Sequence, residues 1–127
     1  MCGINGCIHL KDFFFSKEDF SSATNLLNNR GPDAFGVKEI ILNRFVLKLG
    51  HQRLSILGID KFGDQPMTSE NDLFSIVYNG EIYNHNFLRK QLSSKSNINW
   101  KSSCDTETLL NLFEYEGIDS ILNKIEG

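Results

Sequence analysis

A chain of 127 residues, 40% hydrophobic and 23% charged, has the makeup of one globular domain, or part of one, able to bury a core. A formal net charge of −3, with Lys and Arg scattered through the chain, provides no basic stripe for nucleic acid or anionic lipid. The sequence has neither a secretory h-region nor a transmembrane run, so small polar substrates or protein partners are expected instead, with no nucleic acid and no membrane.

The three cysteines, Cys2, Cys7 and Cys104, are odd in number and lack CxxC spacing, which fits a reducing cytoplasm. Zinc ligation by Cys2, Cys7, His9 and Cys104 matches no structural-site spacing, and no metal is expected. Cys7 and Cys104 read as small buried hydrophobes.

No repeat, low-complexity tract or Pro/Gly-rich linker divides the chain, so strand and helix blocks are expected to follow one another in one continuous unit. Residues 2–10 alternate as a strand, with Ile4, Ile8 and Leu10 on one side. Ser16 followed by Asp19 is a helix-start arrangement, and Phe20, Ala23, Leu26 and Leu27 carry helical spacing over residues 16–29. Phe13-Phe14-Phe15 reads as core. After Gly31-Pro32-Asp33, residues 35–42 and 45–54 form two strands joined by a tight turn at Asn43-Arg44.

Residues 55–73 are polar and hold Gly58, Gly63 and Pro66, the pattern of a long ordered loop that carries function. A short apolar strand over 74–78 stops at Asn79-Gly80, and Phe87, Leu88 and Leu92 then mark a helix. Residues 93–103 are polar and expected to be exposed. Asp105 can cap a helix carrying Leu109, Leu110, Leu112 and Phe113 and ending at Gly117, with a further helix over 118–125.

A Cys directly after the initiator Met permits methionine removal, which leaves a thiol and a free α-amine on one residue. The α-amine, with a reference pKa of about 7.7 to 8.0, is partly unprotonated near neutrality and can take the thiol's proton. Taken singly, the remaining candidates have ordinary readings: Asp105 as an N-cap, Asn79-Gly80 as a turn, Arg53 as the partner of a surface carboxylate, and His51 as a structural residue.

Their joint order has no such reading. Met1-Cys2-Gly3-Ile4, Arg30-Gly31-Pro32-Asp33, His51-Gln52-Arg53-Leu54-Ser55-Ile56, Asn79-Gly80-Glu81-Ile82-Tyr83-Asn84 and Asp105-Thr106-Glu107 together resemble the signature blocks of class II, N-terminal-nucleophile glutamine amidotransferases. The resemblance is strongest to the glutaminase half of glutamine-hydrolysing asparagine synthetases and runs from Met1 to Gly127.

The resemblance implies an α+β fold of the Ntn-hydrolase type: an αββα sandwich of two antiparallel sheets flanked by helices, here truncated at the C-terminus. It implies that Cys2 is the nucleophile and that the Asn79 side-chain amide and the Gly80 N–H are oxyanion donors. Arg53 would hold the α-carboxylate of L-glutamine, Asp105 and Glu81 would engage its α-ammonium and neighbouring polar atoms, and backbone groups of Leu54 and Ile56 would contact it. Arg30 and Asp33 would order the loops around the pocket.

Relatives continue past Gly127 into strands of the second sheet and an ATP-dependent synthetase domain. The 127 residues contain no Gly-rich phosphate loop of the Walker or dinucleotide kind, so ATP and Mg are expected only in a synthetase domain or subunit partner. The expected reaction is hydrolysis of glutamine to glutamate and ammonia. Two alternatives are a glutamine-binding or docking module without catalysis, and an amidotransferase serving a sugar or polysaccharide precursor.

Overall fold

A computed structural model describes residues 1–13, 15–55 and 61–127. Ile56 and Phe14 therefore lie outside the described residues. Among the described residues the chain is α+β, with two antiparallel sheets and four α-helices. Its contacts gather into two compact units. One contains residues 1–55, 64–66 and 77–79; the described part of the other contains 61–63, 67–76 and 80–127. No linker composition marks the crossings, which is why they are invisible in the sequence.

The first unit is built on a three-stranded sheet of order β1-β3-β2: β1 (Gly3–Leu10), β2 (Ala34–Ile41) and β3 (Phe45–Arg53). The turn at Asn43-Arg44 forms where expected and is closed by the Leu42 N–H donating to the Phe45 carbonyl at 2.8 Å. Both pairings of β3 are antiparallel, with Cys7 and Glu39 opposite Lys48, Asn5 opposite Gly50, and Gly3 and Phe35 opposite Gln52.

Helix α1 (Lys17–Asn25) starts as its sequence predicts, because Ser16 Oγ accepts the Asp19 N–H at 2.9 Å and its hydroxyl donates to Asp19 Oδ2 at 2.6 Å. It ends earlier than expected, at Asn25, and a 3-10 turn over Asn28–Arg30 replaces its last turn. Thr24 anchors the helix to the sheet: its hydroxyl contacts the Phe20 carbonyl at 2.8 Å and Asn5 Oδ1 at 3.1 Å, while Gln52 Nε2 donates to Asn25 Oδ1 at 3.2 Å. The approach is close enough that a Cβ on Gly50 would stand 2.4 Å from Thr24 Oγ1.

The side of the sheet bearing these contacts is unexpectedly polar. Lys48 is buried there, its ammonium donating to the Phe15 carbonyl, pairing with Glu39 Oε2 at 3.2 Å and lying 5.1 Å from the Phe15 ring centroid. Ile4, Ile8 and Leu10 do share the opposite side, as their alternation predicts, yet all three are exposed. Phe13 is also exposed, at 62%, so the aromatic run is not uniformly core.

The second unit pairs β4 (Met67–Thr68) with β5 (Ser75–Ile76) and packs α2 (His85–Lys95), α3 (Asp105–Glu116) and α4 (Ile118–Leu122). Its core is Ile82, Leu88, Leu92, Leu109, Leu110, Leu112 and Ile121. Full burial stabilises each such side chain by about 1.5–3 kcal/mol. Phe87, which with Leu88 and Leu92 marked the helix in the sequence, is 61% exposed, because the buried stripe of α2 runs through His85, Leu88 and Leu92 and leaves position 87 outside it.

Gly117 terminates α3 at φ +81°, a left-handed conformation that glycine adopts without strain. Helix α4 stops at Leu122 rather than Ile125. The following segment runs beside the Glu81–Asn84 stretch, with the Tyr83 N–H donating to the Glu126 carbonyl at 2.7 Å and the Glu126 N–H to Asn84 Oδ1 at 3.1 Å.

Two expectations near α3 fail. Residues 93–103 are not uniformly exposed: α2 extends to Lys95 and Ser102 is buried. The N-cap of α3 is Cys104, whose Sγ accepts the Glu107 N–H at 3.4 Å, and Asp105 is instead the first helical residue. Asp105 is drawn away from capping because its Oδ2 accepts the Ile82 N–H at 3.0 Å.

Candidate active site

Cys2 immediately precedes β1, whose pairing with β3 sets Gly3 opposite Gln52 and brings the chain start alongside the end of β3. There the Leu54 N–H donates to Cys2 Sγ at 3.3 Å, and the thiol lies 3.7 Å from the Leu54 carbonyl oxygen. The half-buried sulfur is thus held at the backbone of one residue, Leu54, directly beyond Arg53.

The Arg30-Gly31-Pro32-Asp33 block surrounds this contact. Arg30 Nε donates to the Cys2 carbonyl at 3.3 Å. The Asp33 N–H donates to the Arg53 carbonyl at 3.0 Å, and Asp33 Oδ2 accepts the Ser55 N–H at 2.7 Å. Asp33 therefore fastens the residues on either side of Leu54. Gly31 is required by proximity, since a Cβ there would stand 2.4 Å from the Gln52 carbonyl oxygen.

Arg53 is 6% exposed, and its guanidinium Nη1 meets Asp64 Oδ1 at 2.8 Å. His51, two residues earlier and on the same side of β3, is fully buried, and neither ring nitrogen makes a well-formed hydrogen bond. Burial lowers its pKa below the usual 6.5; Arg53 acts in the same direction, while the backbone of Tyr78 and the charge of Asp64 oppose the shift without reversing it.

Asn79 is half-buried and belongs to the same unit, preceded by Tyr78, whose N–H donates to Gln65 Oε1 at 2.6 Å. The first unit thereby contains Cys2, Arg30, Asp33, Arg53, Leu54 and Asn79. Gly80, Glu81 and Asp105 belong to the second, where Gly80 and Glu81 are exposed and Asp105 is buried against the Ile82 N–H. Ile56 lies outside the described residues.

The family described as "Glutamine amidotransferase domain" matches residues 1–127, the whole chain. The chain belongs to this family. Among curated proteins it is 40% identical over 130 residues to a "Probable asparagine synthetase [glutamine-hydrolyzing]" of Acanthamoeba polyphaga mimivirus, covering 100% of this chain and 22% of that protein. It is 32% identical over 128 residues to a protein of the same description from Dictyostelium discoideum, with the same coverage of 100% and 22%. It is 35% identical over 116 residues to "Asparagine synthetase [glutamine-hydrolyzing] 3" of Bacillus subtilis, covering 89% of this chain and 18% of that protein. The chain thus spans about a fifth of the length of these relatives.

Within this glutamine amidotransferase domain, the sequence motifs single out neither Asp64 nor Gln65. Both lie in the stretch read as a functional loop, and the available signal is a pair of hydrogen-bonding side chains just before Pro66. Their partners, Arg53 and Tyr78, are 11 and 13 residues away, too far for any local pattern to reveal.

Proposed function

We propose that this domain hydrolyses L-glutamine to glutamate and ammonia through Cys2. The observation that carries the reading is the seating of Cys2 Sγ on the Leu54 peptide, one residue beyond a buried arginine and fastened by Asp33 on both sides. Nucleophile and carboxylate-binding cation are then fixed to one strand end. The backbone nitrogen of Cys2 is an amide while Met1 is attached and becomes the base only when Met1 is removed.

In the mechanism the freed α-amine takes the thiol proton, and the sulfur attacks the side-chain amide carbon of glutamine. The resulting oxyanion is met by the Asn79 side-chain amide and, by the family motif, the Gly80 N–H. Collapse breaks the C–N bond, the α-ammonium returns its proton to the leaving nitrogen, and ammonia departs. Water then cleaves the γ-glutamyl thioester, giving glutamate and the thiol. Each well-placed oxyanion donor contributes about 10²- to 10³-fold to kcat in sites of this kind. Arg53 takes the substrate α-carboxylate by charge-assisted hydrogen bonds, and the motif assigns Asp105 and Glu81 to its α-ammonium. Arg30 and Asp33 hold the backbone that presents Cys2 and Arg53.

The fold that accompanies this chemistry is the Ntn-hydrolase αββα sandwich. We infer that the ammonia passes to an ATP-dependent synthetase domain or subunit that amidates aspartate to asparagine in the cytoplasm, a reading supported by relatives named as glutamine-hydrolysing asparagine synthetases. Among the described residues no helix is long and apolar enough to cross a membrane.

The test is Cys2→Ala in the complete gene product. Glutamine-dependent ammonia release is expected to vanish while synthesis from added ammonia persists. Glutamine hydrolysis that survives the substitution overturns the mechanism, and glutamine binding without turnover in the unsubstituted protein assigns the domain to the non-catalytic alternative.

A further inference from the structure

Gln65 is 8% exposed, and its Oε1 accepts the N–H of Tyr78, the residue immediately before Asn79, at 2.6 Å. Its backbone is equally confined. A Cβ on Gly36 would stand 2.1 Å from the Gln65 carbonyl oxygen and 3.0 Å from its carbonyl carbon, so Gln65 rests directly on β2. One residue earlier, Asp64 Oδ1 holds the Arg53 guanidinium at 2.8 Å. A single dipeptide seated on the sheet thus fastens both Arg53 and the backbone leading to Asn79, all inside the first unit.

We propose that Gln65 is a positioning residue for Asn79: by accepting the Tyr78 N–H it fixes the backbone from which the oxyanion-binding amide projects. The inference rests on the role given to Asn79 above. The bond Gln65 accepts is from the backbone beside Asn79, so its effect on the reaction passes through Asn79. An oxyanion donor stabilises the transition state only when it is already aimed, and a misplacement of about 1 Å can cost on the order of 10²-fold. Because the donor acts on charge that develops during reaction, the loss falls on kcat rather than on KM.

The experiment compares Gln65→Met, which keeps length and removes the acceptor, with Gln65→Glu, which keeps it. Both are measured in the complete gene product with Met1 removed, together with the rate at which iodoacetamide alkylates Cys2. Gln65→Met is expected to lower kcat for ammonia release by roughly tenfold or more, with KM within about twofold and alkylation unchanged. Gln65→Glu is expected to recover most of kcat.

In an Asn79→Ala background, Gln65→Met is expected to add little further loss, because the two act as one unit. Wild-type kcat in Gln65→Met, an undiminished loss in the Asn79→Ala background, or a Gln65→Glu variant as slow as Gln65→Met with Cys2 still reactive would each overturn the proposal. So would loss of Cys2 alkylation together with kcat in Gln65→Met, which marks a collapsed unit. Failure of the parent reading is separate: it is read from ammonia release that survives Cys2→Ala.

Discussion

Replacing Glu107 with Gln tests the polar centre of the second unit. Glu107 is 7% exposed; its Oε1 accepts the Lys101 N–H at 2.7 Å, and its Oε2 accepts the Ser102 N–H and hydroxyl, each at 2.8 Å. Arg89 Nη2 pairs with the same Oε2 at 3.4 Å while its guanidinium stacks 3.9 Å from the Trp100 ring centroid. Gln preserves the volume but replaces one acceptor with a donor, so in either amide orientation at least one N–H faces another donor. A hydrogen bond to a charged acceptor contributes about 1.5–3 kcal/mol. Losing one raises the local opening equilibrium by roughly ten- to hundredfold, since about 1.4 kcal/mol is a factor of ten. Amide hydrogen exchange read by mass spectrometry on peptides covering residues 100–104 reports this directly. Lys101 and Ser102 should exchange roughly ten- to hundredfold faster in Glu107→Gln, with α1 unaffected. Protection within about threefold of wild type would refute the assignment of Glu107 as the acceptor that orders this segment.

Two further predictions concern the first unit. Gly50→Ala places a methyl group against the fully buried, β-branched Thr24 and is expected to destabilise by about 1–3 kcal/mol, seen as a lowered thermal midpoint. An unchanged midpoint would contradict the close packing of α1 on β3. His51 has its pKa lowered in the fold, mainly by burial, so protons bind the unfolded chain more readily than the folded one. Its contribution to stability is therefore present above about pH 6.5 and is lost as pH falls below that value toward the folded pKa, with a slope of at most about 1.4 kcal/mol per pH unit. Thermal midpoints should fall less between pH 7 and pH 5.5 in His51→Leu than in the wild type; equal slopes would remove His51 as the cause.

Local chemistry was legible at several element ends. Ser16 and Asp19 start α1 as their spacing predicts, the Asn43-Arg44 turn closes β2 on β3, and Gly117 ends α3. What the sequence hid was decided by partners elsewhere in the chain. Asp105 is a good N-cap residue by type, but the Ile82 N–H competes for its carboxylate and the cap passes to Cys104. The stretch before α3 is polar in composition and still partly buried, because Glu107 supplies acceptors for Lys101 and Ser102. Alternation placed Ile4, Ile8 and Leu10 on one side of β1 correctly, but could not tell that α1 packs over the other side through Thr24 and Gln52.

The candidate site divides in the same way. Cys2, Arg53 and the Arg30 to Asp33 block could be named from their order in the chain, and the fold gathers them at the end of β3, where Asp33 bonds Arg53 and Ser55, Leu54 bonds Cys2 and Arg30 bonds the Cys2 carbonyl. Asp64 and Gln65 carry no motif of their own. They became visible only through the distances to Arg53 and the Tyr78 N–H.

The central claim is that Cys2 carries the glutamyl group during turnover. The most direct measurement is rapid acid quenching of the Met1-free gene product mixed with isotopically labelled glutamine, followed by mass spectrometry of the peptide that begins at Cys2. The account predicts a labelled γ-glutamyl thioester on that peptide, formed before ammonia reaches its steady rate. Steady ammonia release with no label on Cys2 at any quench time would contradict it.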